Sequence, residues 1–109
     1  MQIIRTKIYA RKVRKLFSEA EAAEAEDGIA AQPEKWPVIA GTNGVRKARA
    51  ARGSAGKRGG VRILYYVWLQ DDAMYLLDVY AKSSQEDISE ADKKLLKQII
   101  DELIGANDA

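Results

Sequence analysis

Hydrophobic positions in the second half of the chain follow the pattern of a β-sheet. Residues 61–69 and 74–82 are two runs of β-branched and aromatic residues separated by the polar stretch 70–73, which predicts a β-hairpin. Residues 45–51 alternate between small or apolar side chains and cations, which predicts a third strand. The glycine-rich stretch 53–60 between these strands is expected to be a flexible loop.

Two short helices are predicted before these strands. After a short first strand at residues 2–5, Thr6 stands where an N-cap would, and Pro33 ends the second helix. Ser18 and Glu21 have the spacing of a capping box and open a segment rich in alanine and glutamate. The apolar side of the first helix is predicted to consist of Ile8, Val13, Leu16 and Phe17.

A third helix is predicted near the C-terminus. Ser89 and Asp92 give a second capping signal, and Gly105 is expected to end the helix. One apolar stripe is formed by Leu95, Leu96, Ile99, Ile100, Leu103 and Ile104. The element order is therefore β-α-α-β-β-β-α. It predicts one α+β domain over residues 1–109, in which helices pack on one face of a small, mainly antiparallel twisted sheet of about four strands.

Composition removes several kinds of chemistry. The 109-residue chain contains no cysteine and no histidine, which excludes disulfides, thiolate metal sites and imidazole catalysis. No uninterrupted apolar run resembles a signal peptide or a membrane span. The expected compartment is the cytoplasm, and no cofactor or metal is expected.

The charges are segregated along the chain. Residues 1–17 and 35–70 carry six and eight cations and no acid, whereas residues 18–34 and 71–109 are net acidic, and the sum is +2. The first two blocks are expected to be neighbouring helices whose opposite charges face each other. The third block has no such explanation, since its cations crowd a strand-forming region, and it predicts a polyanionic partner.

Strand alternation places several of these cations on one face of the sheet. If the apolar sides of the hairpin strands both face the helices, Arg62, Tyr80 and Lys82 share the opposite face at one end. Lys47 and Arg49 of the preceding strand join them. This arrangement requires an odd number of loop residues in the hairpin, because a two-residue turn would place Arg62 opposite an alanine.

These residue types suit RNA cleavage by the neighbouring 2′-hydroxyl. Arginine can hold the phosphate and stabilise the charge that develops on it. A lysine with a lowered pKa could accept the 2′-hydroxyl proton, and a tyrosine or lysine could protonate the leaving oxygen. The same residues also permit plain binding of a single strand through phosphate contacts and base stacking, and the residues alone favour binding over catalysis.

The stretches GTNGVRKARAARGSAGKRGGVRILYYV and YLLDVYAKS resemble the RelE/HigB family of bacterial toxins. The resemblance covers residues 38–104 most strongly. It implies a RelE-like fold and a toxin of a type II toxin-antitoxin system that acts as a ribosome-dependent, metal-independent endoribonuclease. The partners implied are mRNA, the ribosome and a helix-turn-helix antitoxin similar to HigA, in a toxin-antitoxin hetero-oligomer without membrane contact.

The resemblance also assigns roles to residues of this chain. Lys47 and Arg49 match the paired basic residues of the family's second strand, and Arg62 matches the arginine that holds the scissile phosphate. Tyr80 or Lys82 supplies the remaining catalytic role, since an arginine next to Lys82 and a tyrosine further on, which classical members carry, are absent here. A second set is expected to contact RNA or the ribosome without taking part in catalysis: Arg46, Arg52, Lys57 and Arg58.

Three alternatives remain open at this point. ParE-like members of the superfamily share the fold and inhibit DNA gyrase, and a non-catalytic nucleic-acid-binding module or a defective toxin would carry a similar basic face. Arg62 could instead form a structural ion pair with Asp78, and Tyr80 could be a packed aromatic. The catalytic interpretation depends on the convergence of Lys47, Arg49, Arg62 and Lys82 on one phosphodiester.

Overall fold

The computed structural model describes residues 1–52, 56–82 and 88–108, with side chains throughout except at 52, 56–59 and 106–108. Within these ranges the chain forms β1 (Gln2–Arg5), α1 (Lys7–Leu16), α2 (Glu19–Ala31), β2 (Arg46–Arg52), β3 (Gly56–Trp68), β4 (Ala73–Ala81) and α3 (Glu90–Asp108). The strand order in the sheet is β1-β4-β3-β2, with β1 parallel to β4 and the other pairs antiparallel. The predicted element order and the α+β class are confirmed.

The predicted helix caps are present. The Thr6 side chain accepts a hydrogen bond from the Tyr9 N–H, and Ser18 forms a complete capping box with Glu21. The Asp92 N–H donates to the Ser89 hydroxyl at 3.1 Å. These local signals therefore set where each helix begins.

Two helix predictions and one loop prediction are wrong in detail. The inward side of α1 is Tyr9, Val13 and Phe17, whereas Ile8 is 46% exposed. The third helix continues through Gly105 to Asp108. Strand β3 begins at Gly56, so it includes five residues of the predicted 53–60 loop.

Helices cover both faces of the sheet, which corrects the expectation of one covered face. Helices α1 and α2 pack on one set of strand residues that includes Ile63 and Tyr65. Helix α3 packs on the opposite face, against residues that include Leu64 and Tyr80. Because successive residues of a strand point to opposite faces, the apolar residues at both parities of β3 require a helix on each side.

The hairpin loop does not have the predicted length, but Arg62 and Tyr80 still share a face of the sheet as predicted. Trp68 pairs with Ala73, which leaves four loop residues, and the predicted odd number is wrong. The ladder then skips Leu77 in β4, a β-bulge that supplies one extra residue. Beyond the bulge Arg62 lies opposite Tyr80, as the strand pattern predicted, although Leu77 now faces α3.

A buried carboxylate joins the three N-terminal elements. Glu26 of α2 is 5% exposed, its Oε2 lies 3.0 Å from Arg5 Nε of β1, and it accepts a hydrogen bond of 2.8 Å from the Tyr9 hydroxyl of α1. Arg5 also binds Glu19, with 2.9 Å between Nη2 and Oε1. Opposite charges of the first two blocks therefore meet at Arg5, which lies in β1 and not in the first helix as expected.

Burial is the main cause that raises the pKa of Tyr9 far above its ordinary value of 10.0, and the hydrogen bond to Glu26 adds to it. The folded chain therefore keeps this proton at a pH where the unfolded chain loses it, and stability should fall as pH rises above about 10. Urea unfolding between pH 8 and 11 should show no difference in slope below about pH 9, and above about pH 10 a fall whose slope is smaller in Tyr9→Phe by an amount that approaches about 1.4 kcal/mol per pH unit. Equal slopes in the two proteins above about pH 10 would contradict this assignment.

Candidate functional site

Three neighbouring strands place one candidate residue each in a single cross-strand row. Arg49 of β2 pairs with Arg62 of β3, which pairs with Tyr80 of β4. Residues directly opposite each other in antiparallel strands have Cα atoms about 4.5–5.5 Å apart and share a face of the sheet. We call Arg49, Arg62 and Tyr80 the three-strand row.

Two lysines lie next to this row. Lys47 precedes Arg49 by two residues in β2 and pairs with Leu64, so it belongs to the same face. Lys82 directly follows β4, is exposed, and its backbone N–H donates to the Gly60 carbonyl at 3.1 Å. The five predicted catalytic residues therefore lie at the end of the sheet opposite the hairpin loop.

The members of the row differ in exposure. Tyr80 is 6% exposed, its hydroxyl is buried, and it packs in the cluster that contains Leu64 and Ile88. Arg62 is half-buried, whereas Arg49 is exposed at the outer strand. Tyr80 is thus packed as an aromatic of the core, and Lys82 is the more accessible of the two residues predicted to supply the remaining catalytic role.

Arg49 extends toward an aromatic residue that the sequence analysis missed. Its guanidinium carbon lies 5.6 Å from the centre of the Trp36 ring, and the ammonium of Lys35 lies 5.1 Å from the same centre. Both distances are within the range of cation–π attraction. The only hint in the sequence is a tryptophan beside a lysine in the connector before β2.

Arg46, which was predicted to contact RNA, holds this connector. Its Nη1 donates to the carbonyl oxygens of Glu34 at 3.1 Å and Trp36 at 2.6 Å. The buried Tyr65 beside it donates its hydroxyl to the Pro33 carbonyl at 2.7 Å. These bonds to backbone carbonyls fix the position of Trp36 and engage Nη1 of the Arg46 guanidinium.

The remaining predicted residues fall into two groups. The side chains of Arg52, Lys57 and Arg58 lie outside the described residues. Asp78, at the β4 bulge, accepts a hydrogen bond of 2.8 Å from Lys12 of α1. This ion pair engages the carboxylate that the sequence offered to Arg62.

Comparison of the chain with protein-family models shows which family it belongs to. The family model described as RelE toxin of the RelE/RelB toxin-antitoxin system matches residues 1–109. The chain belongs to the RelE toxin family, as its sequence pattern predicted, and it is therefore a toxin of a toxin-antitoxin system.

Solved structures show the same fold. The isolated E. coli RelE toxin in its P21 crystal form is 17% identical, with a TM-score of 0.57 over 90% of this chain and 97% of that chain. A double arginine-to-alanine mutant of E. coli toxin RelE in the free state is 16% identical, with a TM-score of 0.58 over 78% of this chain and 86% of that chain. At this level of identity the similarity shows the fold. No helix in the described part of the chain is long and apolar enough to cross a membrane.

Proposed function

We propose that this RelE-family toxin is an mRNA interferase, an endoribonuclease that cuts messenger RNA on the translating ribosome without a metal ion. The observation that carries the proposal is the register that sets Arg62 between Arg49 and Tyr80, with Lys47 and Lys82 on either side. Cations from β2 and β3, together with Lys82 directly after β4, suit one phosphodiester, because the negative charge they stabilise grows during the reaction.

The reaction needs only groups that this face supplies. The 2′-oxygen forms a bond to the adjacent phosphorus, the bond from phosphorus to the 5′-oxygen breaks, and the products are a 2′,3′-cyclic phosphate and a 5′-hydroxyl. Arg62 holds the nonbridging oxygens as negative charge develops on them. Lys47 in its neutral amine form accepts the 2′-hydroxyl proton, and Lys82 in its ammonium form donates one to the leaving oxygen. The exposure of Lys82 and the burial of the Tyr80 hydroxyl support this division.

We also propose that an acidic helix-turn-helix antitoxin, similar to HigA, neutralises the toxin in a hetero-oligomer. Arg5 and Lys12 are engaged in ion pairs within the chain. Four other cations of α1 are exposed: Lys7, Arg11, Arg14 and Lys15. They offer a positive surface to an acidic partner. Co-purification that survives replacement of all four would argue against this contact.

Mapping of RNA ends tests the proposed activity. On induction of the chain in a bacterium, new 5′ ends should appear within minutes inside the coding region of a reporter message. They should be absent from a matched message whose start codon is removed, because the cut requires a translating ribosome. Growth arrest without new 5′ ends would contradict the nuclease assignment and point to a ParE-like target.

A further inference from the structure

A cleft opens between α2 and the outer strand β2, on the face of the sheet opposite the three-strand row. Its volume is about 480 Å³, within the range of roughly 300–1,000 Å³ that small-ligand pockets occupy. Trp36 lies in it with Lys35 and Arg49, and the opposite wall is α2 with Glu24 and Gly28. None of these residues has a role in the catalytic proposal except Arg49.

The chemistry of the lining fits a nucleobase. An indole ring and a guanidinium plane are the surfaces on which unpaired bases stack. Glu21 and Glu24 on the α2 wall can accept hydrogen bonds from exocyclic amino groups of a base. The same carboxylates repel a phosphate or an acidic peptide, so the cleft favours the uncharged part of a nucleotide.

Arg49 connects this cleft to the proposed cleavage site. It lines the cleft and contacts Trp36, and it is also the β2 member of the three-strand row. Because β2 is the edge strand of the sheet, RNA whose phosphate lies at Arg62 can pass around this edge at Arg49 and bring a neighbouring base to the cleft on the other face.

We propose that the cleft is a nucleobase subsite, in which an unpaired RNA base stacks on Trp36 while the phosphodiester held by the three-strand row lies around the β2 edge, on the other side of Arg49. The inference rests on the proposed function and adds a position at which RNA is recognised. The base takes the place of one of the two cations at the indole ring. The displaced cation then contacts the adjoining phosphate.

Gly28 allows the cleft to be blocked without altering Trp36. It lies in α2, and a Cβ added there meets no atom within 4 Å. A leucine at this position extends into the cleft, whereas an alanine adds only a methyl group. Both residues favour a helix more than glycine does, by up to roughly 1 kcal/mol, so Gly28→Leu and Gly28→Ala are a blocking variant and its matched control.

Binding of uncleavable RNA tests the subsite directly. The probe is a dye-labelled pentanucleotide with 2′-O-methyl groups throughout, together with five versions that each lack one base, and the readout is fluorescence anisotropy at one fixed salt concentration. Removal of one particular base should weaken binding to wild type roughly five- to fifty-fold, the usual effect of losing a base–aromatic stack. Trp36→Ala and Gly28→Leu should weaken binding of the intact RNA equally. In these two variants removal of that base should have no further effect.

Two variants should bind the intact RNA like wild type: Gly28→Ala, and Trp36→Phe to within about threefold, since phenylalanine retains a stacking face. The proposal is overturned if wild type does not bind the probe, if no single base matters, or if the base effect is undiminished in Trp36→Ala. It is also overturned if Gly28→Leu binds RNA normally but no longer co-purifies with the antitoxin, because the cleft would then be a protein-docking groove.

The outcome is distinguishable from that of the proposed function. Because the probe cannot be cut, the base effect is measurable even in a protein that leaves messages intact. Conversely, if messages are cut and the Gly28→Leu variant cuts them at the same codons and rate, the nuclease assignment stands and the subsite is wrong.

Discussion

The Arg62→Ala variant should cut translated messages about 10²–10³-fold more slowly than wild type, the usual loss when one donor to a developing oxyanion is removed. Arg62 is the central member of the three-strand row and is half-buried between two neighbouring strands. Water screens the charge of a half-buried cation less than that of an exposed one, so its interaction with the phosphate is stronger. The rate of appearance of new 5′ ends on a translated reporter message measures the effect.

Two further variants separate chemistry from charge. Arg62→Lys keeps the positive charge but cannot bind the phosphate through two parallel N–H groups, so its rate should fall between those of wild type and Arg62→Ala. Lys94→Ala removes an exposed cation from α3 and should cut normally. Thermal melting of each variant checks folding. If a folded Arg62→Ala protein cuts at the wild-type rate, Arg62 does not stabilise the reacting phosphate.

Local signals account for the parts of the fold that the sequence predicted. Thr6 and Ser18 act on N–H groups three residues away, so the caps are decided within one turn of helix. The paired strands are predictable for the same reason, because β-branched and aromatic residues crowd two adjacent runs. Keeping a charged residue away from the α1 and α2 face then predicts the face on which Arg62 lies, whereas its pairing with Tyr80 depends on the β4 bulge.

The β4 bulge could not be predicted, since it depends on contacts between distant segments. With four residues in the hairpin loop, an unbroken ladder would place Arg62 opposite Val79, and Tyr80 would lose its place on the α3 face. The bulge restores that place, and Asp78 beside it is held by Lys12, which is 66 residues away in the chain. No pattern within one strand encodes such a pair.

Trp36 was missed for a similar reason. Its position depends on bonds from Arg46 and Tyr65 to backbone carbonyls of the connector, and any residue type offers a carbonyl. Sequence patterns therefore predict that a connector exists, but not where it lies. The cleft is the part of the candidate site that required a structure.

The Glu26→Ala variant should lose about 3 kcal/mol of unfolding free energy, the lower end of the range for removing one partner of a buried ion pair. The lower end applies because the Arg5 side chain is 25% exposed and keeps its contact with Glu19. The variant also leaves the buried Tyr9 hydroxyl without its acceptor, which adds to the loss. Since domains of this size are stable by only about 5–15 kcal/mol, the change is large.

Urea unfolding at pH 7 measures this change. Every variant also carries Arg62→Ala, which removes the proposed toxicity to the bacterium that expresses the protein. Glu19→Ala removes the exposed partner of the same arginine and should cost less than about 1 kcal/mol. A double variant with Arg5→Met and Glu26→Leu should recover much of the loss, because apolar side chains of similar volume replace a buried ion pair at little cost. If Glu26→Ala and Glu19→Ala lose equal stability, Glu26 does not join β1, α1 and α2 as its contacts indicate.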